Sequence, residues 1–255
     1  MLTIILRLLT APPIRDHLPT RTTPFVNWLL ILGNIAVFVW ELMQFGGSER
    51  QAAAFTQAFG LVPARFLVDP SWAGITVFSS MFMHEGISHL GFNMLFLWIF
   101  GDNVEDAMGH FRYLVFYLLG GICAAAAQTL VNPLSTIPML GASGAISAVL
   151  AAYVFLYPHS PISVLNPIIL LWLFFGLTLT FPAWLVIGIF FVNNLYSALT
   201  THAAGGVAFM AHVGGFLGGT LFYRAFLAGR ERTDEYARWE RWARRRRREQ
   251  SDGWV

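Results

Sequence analysis

Long apolar runs separated by short polar stretches dominate the chain. Crossing a hydrocarbon core about 30 Å thick takes about 20 residues of helix, and four runs meet that length: Phe25–Phe45, Phe111–Val131, Phe181–Leu199 and Gly205–Leu227. Two shorter runs read as spans as well, because a helix can be shorter where the bilayer is thin or where it borders a cavity. These are Ile87–Asp106, with an apolar centre at Leu90–Gly101, and Ala142–Pro158. Between the first two spans, Gly46–Gly86 carries Pro63, Pro70, Trp72, Phe78, Met81, Phe82 and Met83 with little charge. That composition predicts a long loop lying against the membrane surface.

Ile162–Thr180 is apolar and uncharged and competes for a seventh span, but Asn166-Pro167 breaks it early. Topology decides the matter. With six helices both termini share one face, so the Arg-rich C-terminal tail joins Arg7, Arg15 and Arg21 in the cytoplasm, as the positive-inside rule asks. Helices two, four and six then enter from the outer face and bring His89, Asn93, Ser143 and His212 into one outer layer. His212 is expected about seven residues into helix six, roughly 10 Å deep. A seventh helix would reverse helix six and carry His212 to the opposite half. The expectation is therefore an all-α membrane protein of six transmembrane helices, with Ile162–Thr180 interfacial or partly re-entrant. It divides into a cytoplasmic N-terminal segment (1–24), a membrane domain (25–229) and an Arg-rich cytoplasmic tail (230–255).

Composition agrees with this pattern. Of 255 residues, 56% are hydrophobic and 12% charged, with mean hydropathy +0.59, against about 25% charged in a soluble domain. The net charge of +2 says little, because the charge is clustered: all sixteen basic residues are Arg, and nine of them fall between Arg230 and Arg248. A solvated cytoplasmic tail obeying the positive-inside rule accounts for that cluster, and a tail that binds anionic headgroups is the alternative. Nucleic acid is not an expected partner, since no folded reader accompanies the run. Cys123 is the single cysteine, so neither an intrachain disulfide nor a thiolate metal cluster can form. Met1–Thr10 is too short to span and is interrupted by Arg7, so no cleaved signal is expected.

Four polar residues inside the apolar spans could carry chemistry. Ser143 sits in Gly141-Ala142-Ser143-Gly144 at a helix N-terminus, where free backbone N–H groups and the helix dipole favour a developing negative charge. The same tetrapeptide also serves ordinary close packing of helices. His212 begins His212-Val213-Gly214-Gly215-Phe216-Leu217-Gly218-Gly219, in which Gly215 and Gly219 share a helix face. An ionisable group inside a span is costly, so function is the first reading and an interhelical hydrogen bond the second. His89 and Asn93, four apart, stack on one face and can donate to an oxyanion, or simply bind a neighbouring helix. His84 lies in the preceding loop and can order it.

Two rival readings fail on spacing. His84 and His89 are five apart, about 140° around a helix, and not the four that a helical zinc motif needs. Neither metal nor cofactor is expected. The carboxylates Asp102, Glu105 and Asp106 lie near the inner end of helix two, too far to complete a Ser-His-Asp triad with His212. A Ser143–His212 dyad remains.

Together, His84 with His89-Leu90-Gly91-Phe92-Asn93, Gly141-Ala142-Ser143-Gly144, and Ala211-His212 with Gly215 and Gly219 resemble the rhomboid intramembrane serine proteases. The resemblance runs from about Pro24 to Leu227. It implies a six-helix rhomboid-like bundle with Ser143 as nucleophile and His212 as general base and then acid. It also implies His89, Asn93 and the Ser143 backbone N–H as oxyanion donors, and transmembrane proteins cleaved near small residues as substrates. Two positions depart from the family pattern: Ile75-Thr76 stands where a Trp-Arg pair is common, and Ser147 where some members stack an aromatic ring on the histidine. His212 must then be held in another way, for which its glycine face is the candidate. The rival class is a non-catalytic rhomboid-like protein that binds transmembrane helices. The compact chain points to a bacterial plasma membrane.

Overall fold

In the computed structural model of the protein, residues 12–45, 48–166, 176–200, 208–227 and 244–245 are described. Most of the Arg-rich tail, Met1–Thr10 and residues 201–207 lie outside them, so the expectations placed there have no structural counterpart. The long helices follow the apolar runs closely. They are α1 (Phe25–Phe45), α6 (His110–Val131), α7 (Ser143–Leu156), α8 (Ala183–Thr200) and α9 (Phe209–Phe226). Among the described residues α1, α6 and α8 are long and apolar enough to cross a membrane, and α7 is a shorter apolar helix. Leu29, Leu32, Leu42 and Met43 on α1 are 60% exposed or more. So much outward apolar surface suits lipid and not water.

The second predicted span is continuous but irregular. It runs as α4 (Ile87–Phe96), a π turn (Leu97–Gly101) and α5 (Asp102–Met108). Gly101 lies against the Asn27 amide and the Tyr113 hydroxyl, where a side chain would clash. The loop before it is more ordered than its sequence suggested, folding as α2 (Glu49–Phe59) and α3 (Pro70–Ser79), with a 3-10 turn between them (Pro63–Leu67) and another after α3 (Ser80–Phe82). Asp69 caps α3 by accepting from the Trp72 amide, with Pro70 at its first position.

The stretch that competed for a seventh helix contains strands. β2 (Pro161–Leu165) and β3 (Thr178–Pro182) pair antiparallel, with Ser163 opposite Thr180. β1 (Pro13–Asp16), from the N-terminal segment, adds to the other edge of β2 with Pro13 opposite Val164. Residues 167–175 between the strands are outside the described set. A segment expected to be interfacial thus solves its backbone hydrogen bonding in a small sheet. The N-terminal segment, read as a polar lead-in, supplies one of its strands.

Carboxylates secure the end of the bundle away from Ser143. Glu105 is fully buried and accepts from the backbone amides of Val26 and Asn27 at 3.1 and 2.7 Å, meeting the free N–H groups that begin α1. Its Oε1 also meets His110 Nδ1 at 2.6 Å. Asp106 accepts from the amide and hydroxyl of Thr22. Asp16 Oδ2 accepts from Asn103 and Tyr153. Tyr153 lies ten residues along α7 from Ser143, roughly 15 Å away, so its partner Asp16 lies towards the far end of that helix.

The core is centred on α7, whose residues from Gly144 to Tyr153 are all buried. α9 packs along both α6 and α7, and its glycines show why. A methyl group on Gly215 would overlap the Gly144 carbonyl, and one on Gly219 would lie 2.5 Å from the Ala148 carbonyl oxygen. On the adjacent stripe, a methyl group on Gly218 would lie 2.6 Å from Cys123 Cβ of α6. The glycine faces therefore seat α9 in the groove between α6 and α7.

Candidate active site

That packing brings the sequence-predicted histidine to the serine. Ser143 is the first residue of α7, so its backbone N–H has no acceptor within the helix. His212 lies in the first turn of the described helix α9, nearer its end than the seven residues expected. The glycine contact at Gly144–Gly215 is next to Ser143 and one turn from His212. The outcome is a hydrogen bond of 2.7 Å between Ser143 Oγ and His212 Nε2.

The approach to the serine depends on Gly141. Its φ of 111° is in the left-handed region, where a side chain is strained. A Cβ there would also lie 2.8 Å from Cε1 and Nε2 of His89. Its amide donates to the Ser80 carbonyl at 2.9 Å, tying the turn to the 3-10 segment after α3. Gly141 thus lets the chain enter α7 while the His89 ring lies against it. His84, buried in the preceding loop, packs its ring edge-on to His89 with centroids 5.1 Å apart.

A cavity of about 400 Å³ opens at this point, lined by His89, Asn93, Ser143 and His212 among others. All four candidate residues border it, although they come from three helices. Asn93 is buried and donates from Nδ2 to the His89 carbonyl at 2.9 Å, leaving the second N–H of that amide for another acceptor. Phe190 of α8 also lines the cavity and meets Phe96 of α4, ring centroids 5.7 Å apart.

Sequence reasoning missed one neighbour of the histidine. Asn194, buried on α8, faces His212 with Oδ1 in hydrogen-bonding contact with Nδ1. Its only sequence signal was a polar residue inside an apolar span, shared with Asn193 beside it. Ser147, the departure from the family pattern, donates to the Ser143 carbonyl at 2.8 Å and is fully buried. The aromatic rings around His212 come from elsewhere, Phe190 at 6.2 Å and Phe209 at 6.5 Å between centroids.

The mostly helical architecture with long apolar helices defines an integral membrane protein. The Rhomboid domain profile matches residues 71–229, more than half of the sequence, and the chain belongs to the Rhomboid family. Rhomboid protein 1, mitochondrial, of Saccharomyces cerevisiae is 27% identical over 223 residues, covering 83% of this chain and 58% of that protein. Rhomboid protease GluP of Bacillus subtilis is 32% identical over 132 residues, 52% of this chain and 24% of its own length. Rhomboid protease AarA of Providencia stuartii is 31% identical over 96 residues, 38% of this chain and 33% of its own. The chain thus matches less than two thirds of the length of each of these relatives.

Proposed function

We propose that this chain is an intramembrane serine endopeptidase that hydrolyses peptide bonds in or near transmembrane helices through Ser143 and His212. The observation that carries the reading is the 2.7 Å Ser143 Oγ–His212 Nε2 hydrogen bond at the edge of a cavity. The names of two relatives, GluP and AarA, include the word protease and support the same class.

In this mechanism Ser143 Oγ attacks the scissile carbonyl carbon while His212 Nε2 takes the hydroxyl proton. The carbonyl π pair moves onto oxygen, and the tetrahedral anion is met by the Ser143 backbone N–H, His89 and Asn93, each such donor contributing about 3 kcal/mol. His212 then gives its proton to the leaving amine as the C–N bond breaks. Water enters the cavity and attacks the acyl carbon while losing a proton to His212, which returns that proton to Ser143 Oγ as the acyl–oxygen bond breaks.

The membrane domain is 25–229 and crosses six times, with 1–24 and 230–255 on the cytoplasmic side. The spans beyond the three long helices are α4–α5, α7 and α9, the second short because its N-terminus ends at the cavity. The substrate is a transmembrane protein whose helix unwinds near the outer face. α8 is the candidate lateral gate, because it borders the cavity through Phe190 and buries only three of its 18 residues, against seven of 22 on α6. The host membrane is a bacterial plasma membrane.

The test uses the full chain in phospholipid vesicles with a panel of single-pass reporter helices carrying small residues near one membrane face. Wild type is expected to cleave, and Ser143→Ala and His212→Ala to lose activity by about 10⁴-fold or more while unfolding at the wild-type temperature. An inert wild type across the panel, or a Ser143→Ala variant that still cuts, would replace this reading with a protein that binds transmembrane helices without cleaving them.

A further inference from the structure

A serine and histidine alone leave the imidazole free to rotate and to exchange tautomers. Only the tautomer with the proton on Nδ1 presents a lone pair to Ser143 Oγ from Nε2. The glycine faces of α9 place the histidine backbone but cannot choose between tautomers, because glycine offers no side-chain acceptor. Among the described residues, the side chain that meets Nδ1 is Asn194.

The orientation of the Asn194 amide follows from its other bond. Nδ2 lies 2.8 Å from the carbonyl oxygen of Phe190, one turn earlier on α8. A carbonyl only accepts, so the NH2 group must face it and Oδ1 must face His212. With an oxygen acceptor at Nδ1, the ring proton belongs there, and Nε2 is left to accept from the Ser143 hydroxyl at 2.7 Å. Asn194 is buried and shares one stripe of α8 with Ala183 and Ile187, the inward-facing residues of that helix. Its Oδ1 accepts from His212 and one of its two Nδ2–H groups donates to the Phe190 carbonyl.

We propose that Asn194 is a positioning residue that holds His212 as its Nδ1–H tautomer and aims Nε2 at Ser143, in place of the carboxylate of a Ser-His-Asp triad and of an aromatic ring at position 147. The proposal rests on the protease reading for its kinetic consequence but not for its structural one. Because Asn194 rides on α8 while Ser143 and His212 belong to α7 and α9, the bond also makes alignment of the dyad depend on α8 being docked.

Two measurements on the full chain test it. In protein labelled with ¹⁵N-histidine, the His212 ring signals, assigned by their loss in His212→Gln, are expected to show Nδ1–H in wild type and in Asn194→Asp, which keeps the acceptor. In Asn194→Leu, which has similar size and no acceptor, the Nε2–H form is expected to appear. With the reporter helices, Asn194→Leu is expected to lower kcat by about 10- to 100-fold with KM within twofold, and Asn194→Asp to recover most of that loss. Wild type carrying Nε2–H, Asn194→Leu keeping both kcat and the Nδ1–H form, or Asn194→Asp losing as much kcat as Asn194→Leu would each overturn the proposal. The spectra need no substrate. An inert wild type that still shows Nδ1–H and its loss in Asn194→Leu defeats the protease reading alone, whereas cleavage by wild type carrying Nε2–H defeats the positioning role alone.

Discussion

α9 and α8 are both eighteen-residue apolar helices, the first bringing His212 to the cavity and the second bringing Asn194 to the far side of that imidazole, yet they are held by different means. α9 is embedded: Gly214, Gly215, Gly218 and Gly219 each lie so close to α6 or α7 that a single methyl group would collide. α8 is attached by a stripe of three buried residues, and a methyl group on its Gly188 would meet nothing within 4 Å. Close packing without voids makes a helix position nearly immovable, whereas a narrow stripe with one directed hydrogen bond leaves a helix able to shift. The contrast teaches that the His212 backbone and the His212 ring are controlled separately. α6 and α7 set where the residue sits, and α8 sets which way its imidazole faces.

The sharpest way to break this comparison is a matched pair of glycine substitutions. Gly215→Ala forces a methyl group into the Gly144 carbonyl and is expected to destabilise the fold by about 3 kcal/mol, read as a lower midpoint in thermal unfolding, with cleavage lost because α7 and α9 separate. Equal costs for Gly215→Ala and its counterpart Gly188→Ala would remove the distinction between the two helices.

Glu105→Gln tests the opposite end of the bundle, where a carboxylate holds the start of α1. Replacing it weakens bonds to two backbone amides and His110 and is expected to cost about 2 kcal/mol. Activity measured below the unfolding temperature should stay close to wild type, because Glu105 does not touch the cavity. A selective loss of activity without loss of stability would show that the two ends are coupled.

A smaller effect concerns pH. Burial, followed by the nearby Asp102 charge, pushes the Asp16 carboxyl up to about 7, while in an unfolded chain it titrates near 4. The folded protein therefore keeps the proton through a window in which the unfolded chain has released it. Asp16 makes stability fall as pH rises from about 4 to about 7, and the penalty is complete above that range. Asp16→Asn is expected to flatten that slope in unfolding midpoints taken across the window; an unchanged slope would assign it to other groups.

The smallest expected effect belongs to Gly188→Ala. With open space around the position and alanine the better helix former, the variant should be neutral or stabilised by up to about 1 kcal/mol. A marked loss of stability would mean that α8 packs more tightly than its narrow stripe implies.

Much of the fold was legible because apolar runs in a membrane chain have few alternatives to helix. The run Phe111–Val131 and the helix His110–Val131 differ by one residue. The serine was legible because Gly141-Ala142-Ser143-Gly144 combines a permissive turn with a helix start, and the histidine because it introduces a glycine repeat. Ile162–Thr180 was harder to read. An apolar, β-branched segment meets its backbone needs equally well as a helix or as a hairpin, and the choice rests on whether a third strand is available, here Pro13–Asp16 from more than a hundred residues earlier. Glu105 looked like part of a polar helix end, and nothing local announced that it caps α1.

The sequence by itself determined which segments are apolar helices, which residues could act as nucleophile and base, and which glycine faces allow close approach, because each of these follows from local composition and period. Only the tertiary structure decided that the glycine faces close on α6 and α7, that the serine and histidine meet at 2.7 Å, and that an asparagine on a separate helix faces the far side of the imidazole. Contacts between distant segments depend on how whole surfaces fit together, and a single polar residue inside an apolar run carries no local sign of the partner it will find.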